Sequence, residues 1–339
     1  MNYCAVDLHG NNGFYGIIDK DGKRVFNRRI PNDLPLVLEA LKPYKEQLSE
    51  TGVVVESTFN WYWLVDGLME NGYDVHLANP AAIRQYDGLK CSDDKTDAFF
   101  LAELARLKIL PEAHIYKKEE RPVRDMLRRR MLLVRQRTQH KLSLGSLYSR
   151  ETGGNLSSNE ISKLKPADSL KLFDSEHNRM MAEINLKTIR FLEEQIKSIE
   201  KVVLMTVELK PEYEILLTAP GIGRILALTI MLETGSIDRF AKAGNYTSYC
   251  RCVKSQKTSN GKKKGENNGK NGNAYLCWAF IEAANFMRRY CPEAKAWHQR
   301  KAQRTNKIVA TKALASKLSK ACYFMMKNQE EFDVKLLFG

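Results

Sequence analysis

The 339-residue sequence contains no uninterrupted apolar run of about 18 residues, so no membrane-spanning helix is expected. Glycine (20 residues) and proline (10) are too sparse for a collagen-like or low-complexity chain. The cysteines (Cys4, Cys91, Cys250, Cys252, Cys277, Cys291 and Cys322) are odd in number and lie mostly in apolar segments. They lack the paired spacing of a secreted disulfide framework, and reduced thiols are expected. Cys250 and Cys252 form a CxC pair, but no further Cys or His stands at zinc-ligand spacing beside them. The N-terminal residues lack both the basic start and the apolar stretch of an export leader, which makes a bacterial cytoplasmic, nucleoid-associated protein the expectation. What is present is 43% hydrophobic and 28% charged residues, enough for an ordinary core in about two domains, with or without a helical insert.

Negative charge is what the second half is short of. Lys and Arg number 54 against 40 Asp and Glu, a formal charge of +14. Residues 1–116 hold 12 basic and 17 acidic side chains, net −5, whereas residues 117–339 hold 42 and 23, net +19. A solvated face can carry a few surplus lysines. An asymmetry this large instead marks a chain with a carboxylate-rich end and a basic end that meets a polyanion, and nucleic acid is the expected partner.

Residues 3–8 and 13–18 read as strands, and Asp19-Lys20-Asp21-Gly22 supplies a hairpin turn into a third strand over 24–30. Helical spacing over 34–48, a β-branched run over 52–56, a helix over 61–70 and a short strand over 74–78 then predict an α/β layer. After Pro80 a helical stretch leads to Asp93-Asp94-Lys95-Thr96-Asp97-Ala98, which opens an amphipathic helix through Leu107. Residues 121–149 predict a long basic helix, and residues 117–141 contain ten Lys/Arg against three acids. A polar linker over 153–166 precedes a helix over 176–208. There Ile189, Leu192, Ile196, Ile199 and Val203 follow 3-4-3-4 spacing, either a short coiled-coil seam that could serve assembly or one face of a bundle helix. Pro211 and Pro220 bound a last helical domain. Its 306–327 stretch predicts an amphipathic helix whose lysines face nucleic acid or water. Trp61, Trp63, Trp278 and Trp297 fall in helical patterns and are expected in the core.

Asp7 lies within the first strand, Glu56 ends a later one, and Asp94 and Asp97, three apart, share a helix face. Acids at the start of a helix often serve only its positive end. Together with two strand-borne acids in apolar surroundings, they could converge on hard divalent ions, which take oxygen ligands and, as a pair, serve phosphodiester chemistry. His9 is on the same strand face as Asp7 and is expected beside the site or in the core rather than as a ligand.

The strand-borne Asp7, Glu56 in Val-Val-Val-Glu-Ser-Thr, and Asp-Asp-Lys-Thr-Asp-Ala-Phe-Phe-Leu-Ala-Glu-Leu over 93–104 resemble the RuvC-like domain of the DEDD insertion-sequence transposases. That family includes the Piv-type DNA invertases and the bridge-RNA-guided (seekRNA-guided) recombinases. The resemblance continues over 107–137 and spans nearly the whole chain. It implies an RNase H-like fold with Asp7, Glu56, Asp94 and Asp97 as a tetrad binding Mg²⁺ or Mn²⁺, two ions in all. Asp93 competes with Asp94, and the family spacing of two residues before the last acid favours Asp94.

In the basic half, Ala219-Pro220-Gly221-Ile222-Gly223 precedes an apolar helix, either as a turn between helices or as a phosphate cradle of backbone N–H groups. Residues 251–273 hold seven Lys/Arg against one Glu, either a solvated surface loop or a loop offering a hydroxyl among phosphate-binding cations. This stretch resembles the serine-bearing motif of the same transposases, matching in order at Ser259, Gly261, Lys262, Lys270, Gly272 and Asn273. It departs at Arg251, Cys252 and Asn260. The resemblance implies Ser259 as nucleophile, with Ser255 and Thr258 as nearby hydroxyls that spacing alone leaves as alternatives, and a composite site in a multimer.

The sequence therefore predicts an α/β RNase H-like (RuvC-like) catalytic domain with the long basic helix over 1–150, a linker and coiled-coil region over 151–210, and a mainly α serine-bearing domain over 211–339. Catalysis is expected from Asp7, Glu56, Asp94, Asp97 and Ser259. Nucleic-acid contacts are expected from Arg128, Arg129, Arg130, Lys262, Lys263, Lys264 and Lys270. By the resemblance, the partners are donor and target DNA, a noncoding guide RNA and a second copy or more of the chain, as dimer or tetramer. The alternatives are a RuvC-like Holliday-junction nuclease with water as nucleophile, a site-specific DNA invertase, and a noncatalytic nucleic-acid-binding protein.

Overall fold

The computed structural model describes residues 1–83, 93–206, 210–266, 269 and 271–339; the helical stretch expected just after residue 83, and Lys270, lie outside the described residues. The chain groups into two compact units. One is Met1–Lys118 with Ser255–Asn271, the other Glu119–Lys254 with Gly272–Gly339.

In the first unit, β1 (Asn2–Leu8), β2 (Asn12–Asp19) and β3 (Arg24–Pro31) form an antiparallel meander. The Asp19 carboxylate closes the second turn by accepting from the Asp21 and Lys23 N–H groups, and Gly22 takes φ +81°. The single helix expected over 34–48 is two helices, α1 (Leu34–Leu41) and α2 (Lys45–Thr51). Pro43 has no N–H to continue the ladder, and a 3-10 turn, Lys42–Tyr44, separates them. β4 (Val53–Glu56), α3 (Tyr62–Glu70) and β5 (Val75–Ala78) follow. β4 runs parallel to both β1 and β5, which completes a five-stranded mixed sheet in the order β3-β2-β1-β4-β5.

Side-chain alternation decides what each face of this sheet buries. Val6, Leu8, Tyr15, Ile17, Val53 and Val55 pack with Val37, Leu41, Leu64 and Leu68 from α1 and α3. Ala5, Phe14 and Val54 face the other way, onto Ala98, Phe99, Leu101 and Ala102 of α4 (Asp94–Arg106). A sheet covered on both faces explains why the middle of β1 is apolar without a break except at Asp7.

The unit is completed by a two-stranded hairpin, β6 (Lys257–Ser259) and β7 (Lys262–Gly265), within the stretch read as a loop. Its turn residues Asn260 and Gly261 take φ +50° and +71°. Asn-Gly is the pair that most readily adopts two consecutive positive φ angles, as in a type I′ turn.

In the second unit, α5 (Arg121–Thr152) and α8 (Glu176–Thr206) pack antiparallel, joined through α6 (Ser158–Lys163) and α7 (Ser169–Leu172). Leu144 and Leu147 meet Ala182, Leu186 and Ile189, and Arg130 and Arg137 pair with Glu200 and Glu193. The predicted seam residues Ile189, Leu192, Ile196 and Val203 are thus buried on a helix paired with α5 of the same chain, the bundle-face reading of that spacing. α5 itself, set with the catalytic domain on sequence, packs in this second unit.

The remaining helices are α9 (Pro211–Leu217), α10 (Arg224–Thr234), α11 (Ala243–Tyr249), α12 (Ala274–Tyr290), α13 (Pro292–Arg304), α14 (Lys307–Asn328) and α15 (Val334–Phe338). They enclose a core that includes Leu228, Ile230, Tyr246, Phe280, Leu314 and Leu318. Trp61 is buried, and Trp63, Trp278 and Trp297 are partly buried against their cores. No helix among the described residues is long and apolar enough to cross a membrane.

The Pro-Gly segment before α10 is explained by packing. Gly221 has φ +95°, and a Cβ there would stand 2.5 Å from both the Ala283 carbonyl oxygen and the Met287 nitrogen of α12. A Gly221→Ala change is expected to destabilise the protein by about 1–3 kcal/mol. Gly223→Ala, where nothing lies within 4 Å and only the N-cap of α10 is altered, is expected to cost less than about 1 kcal/mol. Urea denaturation midpoints of the two variants check the contrast.

Candidate active site

The sheet register brings the strand-borne acids together. Val6 pairs with Val55 across parallel β1 and β4, so Asp7 and Glu56, the next residue on each, leave neighbouring strands side by side. Asp94 and Asp97 sit in the first turn of α4. Asp93, the competing acid, is the N-cap: its carboxylate accepts from the Thr96 N–H at 2.7 Å. Asp94 instead faces the sheet, where it accepts from Arg29 of β3. Arg29 also donates to the Asn12 Oδ1 at 2.8 Å.

His9 is not a core residue. Its side chain is 41% exposed, and its Nε2 lies 3.2 Å from Asp7 Oδ2 and 3.3 Å from Asp94 Oδ1. The backbone beneath it is fixed by its carbonyl, which accepts from the Asn32 and Asn60 side chains at 3.0 and 2.9 Å. Ligand atoms of Asp7, His9 and Asp94 all lie within 4.8 Å of one another. The signal for His9 was its i+2 position after Asp7, which shares a strand face. Arg29 had no comparable signal, since its place depends on the β2–β3 register.

Crowded carboxylates raise one another's proton affinity. Burial pushes the Glu56 carboxyl up to about 7, aided by a hydrogen bond with Asp7 and by the charges of Asp7 and Asp97. Asp7 is also raised, by burial foremost, with partial relief from its hydrogen bond to Glu56 and from His9. Asp94 moves the other way because Arg29 hydrogen-bonds to its charged form. A site of hard oxygen donors that must otherwise hold a proton to relieve repulsion is chemically suited to a divalent cation. Asp7, His9 and Asp94 form the group that could hold such an ion, with Glu56 hydrogen-bonded to Asp7 beside them.

Ser259 is exposed at the end of β6, where it pairs with Lys262 across the turn. Lys263 and Lys264 are exposed on β7. No hydrogen bond joins Ser259 to the carboxylates among the described residues, although its hairpin belongs to the same compact unit. Within that unit the Asn79 side chain donates to Asn271 Oδ1 at 3.5 Å.

The three α5 arginines divide differently from expectation. Arg128 and Arg130 hold carboxylates of their own unit, Glu233 and Glu200, and Arg128 also lies over the Tyr275 ring at 4.3 Å. These ion pairs occupy groups expected to meet phosphates, while Arg129 is exposed. Glu233, on α10, is 1% exposed and takes Arg124 Nε at 3.0 Å, Arg128 Nε at 2.5 Å and Asn273 Nδ2 at 2.7 Å. Burial alone would push its carboxyl up, but Arg128 and Arg124 hold it below the usual value. The Asn273 Oδ1 caps α12 by accepting from the Tyr275 and Leu276 N–H groups. At adjacent Gly272, with φ +93°, a Cβ would meet the Tyr249 carbonyl oxygen at 2.4 Å. Two residues of the serine motif, Gly272 and Asn273, therefore anchor its downstream end.

The sequence that builds this carboxylate-bearing sheet and the helices that follow is similar to that of known proteins. A transposase sequence model of the DEDD, IS110 type matches residues 4–149, and a second, described as transposase IS116/IS110/IS902 family, matches residues 213–299. A relative from Pseudomonas aeruginosa, named a probable family 20 transposase, is 23% identical over 300 residues, covering 85% of this chain and 88% of its own length. The protein is thus an enzyme of the DNA transposase class. It belongs to the IS110 family of insertion-sequence transposases.

Two outcomes are expected. Between about pH 4.5 and 7 the metal-free fold carries a proton on Glu56 that the unfolded chain, with its value near 4.5, has lost. That contribution is complete below the unfolded value and disappears as pH rises through about 7. The melting temperature without divalent ions should therefore decline across this range, and less so in Glu56→Gln or with excess Mg²⁺. In the second unit, Glu233→Gln leaves two arginines without their counter-charge and is expected to cost about 3–5 kcal/mol by chemical denaturation.

Proposed function

We propose that this transposase cuts and rejoins DNA by transesterification, with Ser259 as nucleophile and the Asp7, Glu56, Asp94 and Asp97 carboxylates as the metal-binding tetrad. The observation that carries the reading is the meeting of acids from three elements: Asp7 of β1 hydrogen-bonds with Glu56 of β4, and its carboxylate lies with His9 and Asp94 of α4 in a group whose ligand atoms are all within 4.8 Å of one another. The strand order β3-β2-β1-β4-β5, antiparallel over the first three and parallel thereafter, supports an RNase H-like domain. Bound at this site, one or two Mg²⁺ ions, or Mn²⁺, would supply charge neutralisation to the phosphate oxygens.

This chain's own residues supply the rest. Asp7 and Glu56, fixed by their strands, and Asp94, oriented by Arg29, hold the acidic site in place. Ser259 presents a primary hydroxyl on the β6–β7 hairpin, flanked by Lys262, Lys263 and Lys264 as phosphate contacts. As its Oγ–P bond forms, the bond from phosphorus to the sugar oxygen breaks, and the hydroxyl proton ends on that oxygen. One phosphodiester replaces another, so the energy for rejoining is retained in a phosphoserine link. Grouping of the hairpin with the carboxylate unit supports a site assembled within one chain, while the family resemblance favours one assembled between copies. By the same resemblance, a noncoding RNA selects donor and target sequences by base pairing, leaving the protein to read backbone and shape.

Expression with the native flanking DNA, followed by denaturing gels of labelled element ends, tests the reading. A covalent protein–DNA adduct is expected, absent in Ser259→Ala and in Glu56→Ala. Mixing these two variants restores the adduct only if serine and acids come from different copies. Cleavage without an adduct, indifferent to Ser259, would replace this reading with a nuclease that uses water.

A further inference from the structure

The positive charge of the second unit is unevenly neutralised. Along α5 and α8, Arg124, Arg128, Arg130, Arg137, Lys141 and Arg190 each lie within 4.0 Å of a carboxylate. Residues 288–320 are different: they hold ten Lys/Arg and one acid, Glu293. None of those ten is ion-paired to a carboxylate among the described residues.

Part of this stretch forms an open groove of about 1070 Å³ where α12 ends, α13 passes and α14 begins. Arg288, Arg289, Lys295, His298, Gln303 and Lys307 contribute to its lining, which contains no acidic side chain. Its floor is built rather than incidental. His298 is 5% exposed and held by Thr311 Oγ1 at 3.0 Å. Arg288 NH1 stands 3.4 Å from His298 Nε2, its NH2 donates to Asn285 Oδ1 at 3.1 Å, and its Nε is buried with no hydrogen-bond partner. A guanidinium that lines a groove with no carboxylate partner is stabilised when an anion pairs with it. The rim cations Arg289, Lys295 and Lys307 are exposed. The groove exceeds what a single small anion fills, and its amide side chains add hydrogen-bonding groups that do not repel anions.

We propose that this groove binds the phosphodiester backbone of a nucleic-acid strand, as a contact of its own beyond the carboxylate site. Arg288 meets a phosphate at the floor, and the rim cations meet neighbouring ones. The proposal shares with the transposase reading only the class of polymer. Binding is measured without cleavage, so either can fail alone.

Fluorescence anisotropy with the full chain in EDTA tests it, using a labelled duplex DNA and a labelled structured RNA of matched length. The variant Arg289→Ala/Lys295→Ala/Lys307→Ala is compared with Lys187→Ala/Lys197→Ala/Lys201→Ala, which removes equal charge from the exposed surface of α8. The groove variant is expected to bind at least one probe about tenfold more weakly, with a salt-dependence slope lower by about 2–3 and an unchanged melting temperature. The charge-conserving variant Arg289→Lys/Lys295→Arg/Lys307→Arg is expected to retain affinity. A loss confined to the RNA or to the DNA identifies the strand that occupies the groove. Equal losses in the groove and α8 variants, or a weaker affinity with an unchanged salt slope, overturn the proposal.

Discussion

Mutual repulsion among the carboxylates is the constraint that the first unit is built to withstand. Each strand-borne acid follows a valine with no exposed surface, Val6 before Asp7 and Val55 before Glu56. Neither acid can retreat from the other without drawing an apolar neighbour out of the sheet, so hydrophobic burial supplies the force that keeps like charges adjacent. His9 and Arg29 then soften the repulsion locally, one between Asp7 and Asp94 and the other on the far oxygen of Asp94. The result is a site whose resting state favours proton uptake and whose donor chemistry favours a hard cation.

The second unit solves the opposite problem with one acid. Glu233 lies in the core beneath two arginines and an asparagine, and through them joins the long basic helix, the apolar helix α10 and the start of α12. Net charge is therefore a poor map of where a polyanion binds. Much of the basic character of α5 is consumed internally, whereas the cations of the 288–320 segment have no carboxylate partner among the described residues. A count of cations does not distinguish those held by carboxylates from those without one; only their pairing does.

The strands and their order of appearance were legible because alternation and β-branched runs survive in each, and Asp7 and Glu56 stood out because they interrupt apolar patterns. Three things were not. The break at Pro43 was visible in the sequence but outweighed by periodicity that happened to continue through it. The hairpin around Ser259 was announced by Asn260-Gly261, a signal hidden by the surrounding run of small and basic residues. The roles of Arg29, Arg128 and Arg130 depend on partners 65, 105 and 70 residues away, and no local pattern encodes such pairings. Register across the sheet and packing between helices decide them.

The discontinuity of the first unit has a temporal side. Its sheet is encoded within the first 118 residues, but its hairpin arrives only after residues 119–254 have been made. On the ribosome, where domains fold in order of emergence, the acidic sheet can form long before its last segment exists. A nascent or truncated chain would display carboxylates without the serine, and the closing contacts have the long sequence separation that slows folding. Synthesis itself thus withholds the Ser259 hairpin until residues 119–254 have been translated.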